Sequence, residues 1–69
     1  MTKQHDIKIT TRDRILRAWE NSMELTRDFK IYSEEIKDDD EVAEIFSEFA
    51  KQEGLRASKL RELMHRYSK

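Results

Sequence analysis

Two charged residues, Glu53 and Arg56, stand in a stretch where the pattern calls for apolar side chains, and they are the best candidates for chemistry in the sequence. Around them, apolar residues recur at spacings of three and four, as on one face of an amphipathic helix. The stripe consists of Val42, Ile45, Phe46, Phe49, Ala57, Leu60, Leu63, Met64 and Tyr67. An inward carboxylate at Glu53 is either a metal ligand or half of a buried ion pair, with Arg56 on the edge of the same face. Because a guanidinium has no free lone pair, Arg56 cannot be a ligand.

Three interpretations of these charges remain open. In the first, Glu53 and Arg56 form a buried charge pair. In the second, Arg56 extends to solvent and pairs with surface acids. In the third, Glu53 and Glu20 contribute to a metal site, with His65 as a further candidate ligand, although Glu20 lies about 160° from the centre of its own stripe. The two histidines add little, because His5 precedes the first helix and His65 points away from the stripe.

No other motif indicates catalysis or cofactor binding. The sequence has no glycine-rich phosphate loop, no nucleophile elbow and no Ser/His/Asp set. We therefore expect no catalytic and no cofactor-binding residues, which favours a protein that is not an enzyme.

The first half of the chain predicts a helix from about residue 10 to about residue 37. Thr10 or Thr11 is a suitable N-cap, and Asp13 lies three residues after Thr10, as in a capping box. The apolar face is interrupted by small hydroxyl residues, which suggest close backbone approach or space for a larger neighbour. This face consists of Ile15, Ala18, Trp19, Ser22, Leu25, Thr26, Phe29, Tyr32, Ser33 and Ile36.

The aspartate run at residues 38–40 predicts a turn between two helices. Aspartate is a poor interior helix residue and a strong N-cap, and Asp38 with Glu41 indicates a new helix start. In one unbroken helix the second stripe would sit roughly 150–200° round from the first, so the two stripes could not share a face. The prediction is an all-α antiparallel helical hairpin, with a flexible tail over residues 1–9 and a second helix from about residue 41 to about residue 67.

The composition of the chain argues against nucleic-acid binding and membrane association. The 69 residues are 42% charged with a net charge of −1, and they include one glycine, no proline and no cysteine. Near-neutral charge gives no reason to expect nucleic-acid binding. No apolar run approaches the roughly 20 residues that span a bilayer, so we expect no membrane association and a cytoplasmic location.

Residues 45–60 resemble the second helix of rubrerythrin-type ferritin-like proteins, whose pattern includes Glu-x-x-His followed by Ala and Leu. The resemblance implies a four-helix bundle with a dinuclear, usually iron, centre, built from inward glutamates and two Glu-x-x-His motifs. Glu53 matches the bridging carboxylate, whereas Arg56 stands at the histidine position. The first helix offers no clear inward carboxylate, since Glu20 and Glu24 both point outward.

Two helices alone bury little surface, so the hairpin is expected to homodimerise into a ferritin-like four-helix bundle. The expected function is that of a small assembly or interaction protein without a working di-metal centre and without cofactors. The alternative is an iron- or manganese-binding protein in iron or peroxide handling. A heterotypic protein partner that covers the hairpin is a third possibility.

Overall fold

The computed structural model describes residues 9–67, which form two α-helices packed against each other as an antiparallel hairpin. Helix α1 spans Thr11–Glu35 and helix α2 spans Asp40–His65. Within the described range there is no β-strand. The prediction of an all-α hairpin is confirmed. Most of the predicted N-terminal tail, including His5, lies outside the described residues.

Helix α1 begins with the predicted capping box. The side-chain oxygen of Thr10 accepts a hydrogen bond from the Asp13 N–H at 3.0 Å, and the Thr10 N–H donates to Asp13 Oδ2 at 3.2 Å. These bonds satisfy two donors that the first turn of a helix leaves without an intrahelical partner. Thr10, rather than Thr11, is therefore the N-cap.

The connection between the helices is short and differs by a residue or two from its predicted position. Helix α1 ends at Glu35, and the N–H of Ile36 donates to the Tyr32 carbonyl at 3.0 Å. Helix α2 is capped by Asp39 instead of Asp38, with Asp39 Oδ1 accepting from the Val42 N–H at 3.1 Å. At its other end α2 stops at His65, two residues before the predicted boundary.

Four aromatic rings hold the helices together beside the turn. Phe29 of α1 lies between two rings of α2, with centroids 5.9 Å from Phe46 and 5.6 Å from Phe49. Tyr32 meets Phe46 edge-on at 5.8 Å. Tilted and edge-on contacts at these distances are the favoured arrangement of aromatic pairs.

Away from this cluster the hairpin has almost no core. Among residues 9–67 the deeply buried residues are Ser22, Glu53 and Ala57, and two of these three are polar. No large side chain in that range is fully buried. Each helix thus leaves part of its apolar stripe uncovered.

Much of the uncovered apolar surface lies on one side of the hairpin, which we call the open face. On α2 its residues are displaced by roughly 50–110° from the centre of the side that packs against α1, and those on α1 are displaced in the same rotational sense. In an antiparallel pair, equal rotation places both sets on one side. The open face comprises Leu25, Tyr32, Ile45, Phe49, Leu60 and Leu63. Leu25, Tyr32, Ile45 and Phe49 are 41, 45, 43 and 41% exposed.

Candidate functional site

Glu53 occupies the middle of α2 and is buried against α1. The hydroxyl of Ser22 donates to Glu53 Oε2 at 2.5 Å and also lies 3.3 Å from the Glu53 carbonyl oxygen. Ser22 and Glu53 are 3 and 6% exposed. One carboxylate oxygen is therefore held inside the helix pair by a neutral donor from the opposite helix.

Arg56 neutralises the same carboxylate from its outer edge. Its Nη1 lies 2.9 Å from Glu53 Oε1 and donates a hydrogen bond to it. The Arg56 side chain is 66% exposed and the Glu53 side chain 8%. Both carboxylate oxygens thus have a protein donor, while the guanidinium itself stands on the open face.

Helix geometry explains why the carboxylate points inward. Glu53 lies one turn before Ala57 and one turn after Ala50, so these three residues share the side of α2 that faces α1. The two alanines are small, which leaves room for the longer glutamate between the helices. On α1, Ser22 stands at the same height, and Thr26 adds a second hydroxyl, which donates to the Ser22 carbonyl at 2.8 Å.

Glu20, the other carboxylate considered for a metal site, lies on the exposed surface of α1. It borders a shallow depression together with Asp13 and Arg14, and its position is set by the outward phase that the sequence predicts. No hydrogen bond or ion pair within residues 9–67 connects Glu20 to Glu53. His65 is exposed at the end of α2.

The donor set of one chain does not fit a di-metal centre. In the part of the chain that is described, no three or more His, Cys, Asp or Glu side chains converge as a metal site requires. The residue at the histidine position is Arg56, a cation without a lone pair. Of the two Glu53 oxygens, one is paired with that cation and the other accepts from Ser22.

Sequence reasoning did not identify Ser22 as the partner of Glu53. The signal was present in two pieces: a hydroxyl on the inward face of the first helix and a carboxylate on the inward face of the second. Only the antiparallel register joins them, because it sets which heights on the two helices meet. Phe29 lies seven residues after Ser22, and Phe46 lies seven residues before Glu53. Their contact therefore has the same register, and pairing these two rings would have located the contact between Ser22 and Glu53.

No family model, curated protein or solved structure matches this chain. The likeness to rubrerythrin-type proteins therefore rests on the motif around Glu53 alone. Within residues 9–67, neither helix has the length and apolar character needed to cross a membrane.

Proposed function

We propose that this chain is a non-enzymatic assembly protein that homodimerises through its open face into an antiparallel four-helix bundle of the ferritin-like type. The observation that carries the proposal is the open face itself. Aliphatic and aromatic side chains lie side by side there and are about two-fifths exposed. Such contiguous apolar surface is typical of interaction sites.

A second copy of the chain is the occupant that matches this surface best. A two-fold axis brings the same face of each molecule together, so two apolar surfaces of equal extent meet. Burying the face removes apolar area from water, which supplies the main driving force for helix association. The product has four helices around one core, as in other helical bundles.

The distribution of charge favours a dimer with the two turns at opposite ends. The turn end of the hairpin carries Asp38, Asp39, Asp40 and Glu41, whereas the open end carries Arg12, Arg14, Arg17, Lys59, Arg61 and Arg66. Placing turn against open end brings opposite charges together at both ends of the bundle. Placing turn against turn brings the aspartates together and is opposed by like-charge repulsion.

In such a bundle the Glu53–Arg56 pairs of the two chains lie where ferritin-like proteins hold their metal ions. Two carboxylates and two guanidiniums are electrically neutral as a set. The proposed function is therefore structural: the chain forms a small bundle, or presents one to another component, with charge pairs in place of a metal centre.

The alternative, iron or manganese binding, rests on the buried carboxylate of Glu53 and requires ligands from a second chain. Native mass spectrometry combined with metal analysis of untagged protein separates the two functions. We expect a dimer with no stoichiometric iron or manganese. Stoichiometric metal that is lost on Glu53→Ala would overturn the metal-free proposal and establish the alternative.

Sedimentation equilibrium tests the homodimer independently. The proposal predicts a dimer at micromolar concentration that dissociates reversibly into monomers on dilution. A folded, helical monomer at those concentrations would overturn the homodimer. Such a result would favour the third possibility, a heterotypic partner that covers the open face.

A further inference from the structure

On the open-face side of α2, the spacing of residues is symmetric about the point midway between Glu53 and Arg56. Phe49 lies four residues before Glu53, and Leu60 lies four residues after Arg56. Ile45, four residues before Phe49, and Leu63, three residues after Leu60, extend this order outward to within one residue on the same side of the helix. An isologous interface needs this property, because each residue must meet its counterpart when the surface is turned about a two-fold axis.

We propose that α2 pairs with α2 of a second copy in one antiparallel register, with the two-fold axis crossing the helices midway between Glu53 and Arg56. This inference rests on the proposed homodimer and specifies it further. Phe49 of each copy then opposes Leu60 of the other, and Ile45 lies within about one residue of helix rise of the position opposite Leu63. Arg56 of each copy opposes Glu53 of the other.

The register gives the exposed guanidinium a second role. Arg56 uses Nη1 for Glu53 of its own chain. A guanidinium has five N–H donors, and within residues 9–67 no other protein acceptor binds the remaining ones. In the paired helices these donors face the second copy's Glu53, whose Oε1 has lone pairs beyond the one used by its own arginine. Each arginine thus bridges two carboxylates across the axis.

Helix α1 supports the same axis through different residues. The contact between Ser22 and Glu53 shows which heights on the two helices coincide, so the axis passes α1 close to Asn21. Arg14 and Asp28 then lie on opposite sides of it at equal distances, to within about one residue of helix rise. Both are on the open-face side of α1, so Arg14 of one copy meets Asp28 of the other. Asp28 has no ion pair among the described residues.

The competing two-fold arrangement, with both turns at the same end, is less complementary. It places α1 of the second copy over α2, so that Arg56 faces Ala18, Asn21 and Arg17. None of these residues is an acid, and one is a cation. The acidic turns of the two copies also come together in that arrangement.

Spin labels on single cysteines distinguish the two arrangements, and the chain contains no cysteine of its own. Glu41 and Gln52 are exposed, lie about three turns apart, and are on the side of α2 that points away from α1. In the proposed register the two labels of a dimer are separated along the helix axis by about 40 Å at Glu41 and by about 8 Å at Gln52. With both turns at the same end, the separation is the same at both positions.

Electron–electron resonance on labelled Glu41→Cys and Gln52→Cys dimers should therefore give a much longer distance at Glu41. Equal distances at the two positions in a protein that sediments as a dimer would overturn the register and leave the homodimer intact. Loss of the dimer itself, seen by sedimentation of the unlabelled protein, would overturn both proposals.

Disulfide formation provides a second measurement. Phe49 and Leu60 are about 16 Å apart along one helix, too far for a bond within a chain. Oxidising an equimolar mixture of Phe49→Cys and Leu60→Cys should give a cross-linked heterodimer, whereas either variant alone should not cross-link. Cross-linking of Phe49→Cys with itself as efficiently as in the mixture would contradict the register.

Discussion

At the scale of single residues, Glu53 shows how a carboxylate is accommodated between two helices that bury little else. Ser22 and Arg56 each satisfy one of its oxygens, so its charge is not left without partners. An ion pair with one member exposed to solvent contributes little, because water screens it. The same pair shielded from water by a second copy would be far more sensitive to loss of one member.

The first prediction follows from that contrast. Arg56→Ala should lower the free energy of unfolding by about 1 kcal/mol at concentrations where the protein is monomeric. Where it is dimeric, the cost should rise to about 3–5 kcal/mol per chain, because an unpaired carboxylate then lies in the bundle centre. Urea unfolding at protein concentrations below and above the dimer midpoint measures both values.

Lys59→Ala is the matched control for this prediction. Lys59 pairs with Glu62 at 3.7 Å, and the side chains are 72 and 73% exposed. Its removal should change stability by less than about 0.5 kcal/mol at either concentration. An equal, small effect of Arg56→Ala in both regimes would mean that its guanidinium stays in solvent in the dimer.

The second prediction concerns acid stability at the start of α1. The backbone N–H of Thr10, then its side chain, and also the charges of Arg12 and Arg14, lower the pKa of Asp13 below its ordinary value of 3.8. A carboxyl group with a lowered pKa in the folded state stabilises the fold above its unfolded pKa and loses that effect as pH falls through the folded pKa. Helicity should therefore drop below about pH 4, and Asp13→Asn should flatten this dependence in circular dichroism.

Thr10→Ala supplies the corresponding test at neutral pH. Loss of the cap should cost about 1 kcal/mol, measured by thermal unfolding. Thr11→Ala removes a neighbouring hydroxyl that is not the cap, so it should have a smaller effect. A larger effect at Thr11 would contradict the assignment of Thr10 as the N-cap.

Sequence reasoning was most informative where one residue's helical phase decides its environment. The period of the α2 stripe placed Glu53 on the packed side, and that residue is buried in the structure. The helical phase of Ser22 likewise placed that residue on the packed side of the first helix. Its pairing with Glu53 was not predicted, since helical phase gives a direction around one axis and says nothing about height along the other helix.

At the scale of helices, the hairpin was predictable because two strong stripes are out of phase across an aspartate run. The residue that caps the N-terminus of α2 was less predictable. Three consecutive aspartates are chemically equivalent N-caps, and the choice of Asp39 depends on how the chain leaves α1 at Ile36 and crosses to the second helix. The capping preferences of individual residues do not determine the path of the chain between the two helices.

The third prediction concerns Gly54, a glycine in the interior of α2. A Cβ built at this position would lie 3.9 Å from Thr26 Cγ2, an ordinary van der Waals distance. Alanine therefore fits between the helices, and it loses less backbone entropy on folding than glycine does. Gly54→Ala should raise the free energy of unfolding by about 0.5–1 kcal/mol.

Chemical denaturation of the variant tests this expectation. Gly54→Leu is the matched contrast, because its larger side chain must displace Thr26 and should destabilise the hairpin. Destabilisation by alanine as well would show that another backbone approaches Gly54 more closely than Thr26 does.

At the scale of the whole molecule, the decisive property is how little the two helices cover each other. A short chain with only two helices buries little surface, which is why association was expected from the sequence. Which side stays open depends on the rotation of each helix about its axis. Only the structure supplies that rotation, by burying Ser22 and Ala57 and leaving Leu25 and Phe49 exposed.

The fourth prediction tests the open face directly. Phe49→Glu places a charge in the middle of the proposed interface, so it should weaken dimerisation by at least about tenfold, the equivalent of about 1.4 kcal/mol. Leu55→Glu is the control, because Leu55 is 74% exposed and lies about 120° round α2 from Phe49. Sedimentation should show dimers for Leu55→Glu and monomers for Phe49→Glu.

Equal dissociation by both substitutions would contradict the position of the interface. Phe49 also touches Phe29 within the hairpin, so circular dichroism at high protein concentration must accompany the measurement. Ile45→Lys, which alters the open face without removing an aromatic contact between the helices, should give the same monomer.

The aromatic cluster beside the turn implies an order in which the chain acquires its structure. Those rings are joined by a short loop, so their closure entropy is small and they can form early. The ring contacts found within residues 9–67 all lie at this end, so we expect the far ends of both helices to fray first. In a dimer with the two turns at opposite ends, the aromatic turn end of each chain would pack against the less stable open end of the other. Folding of each chain would then be completed by association.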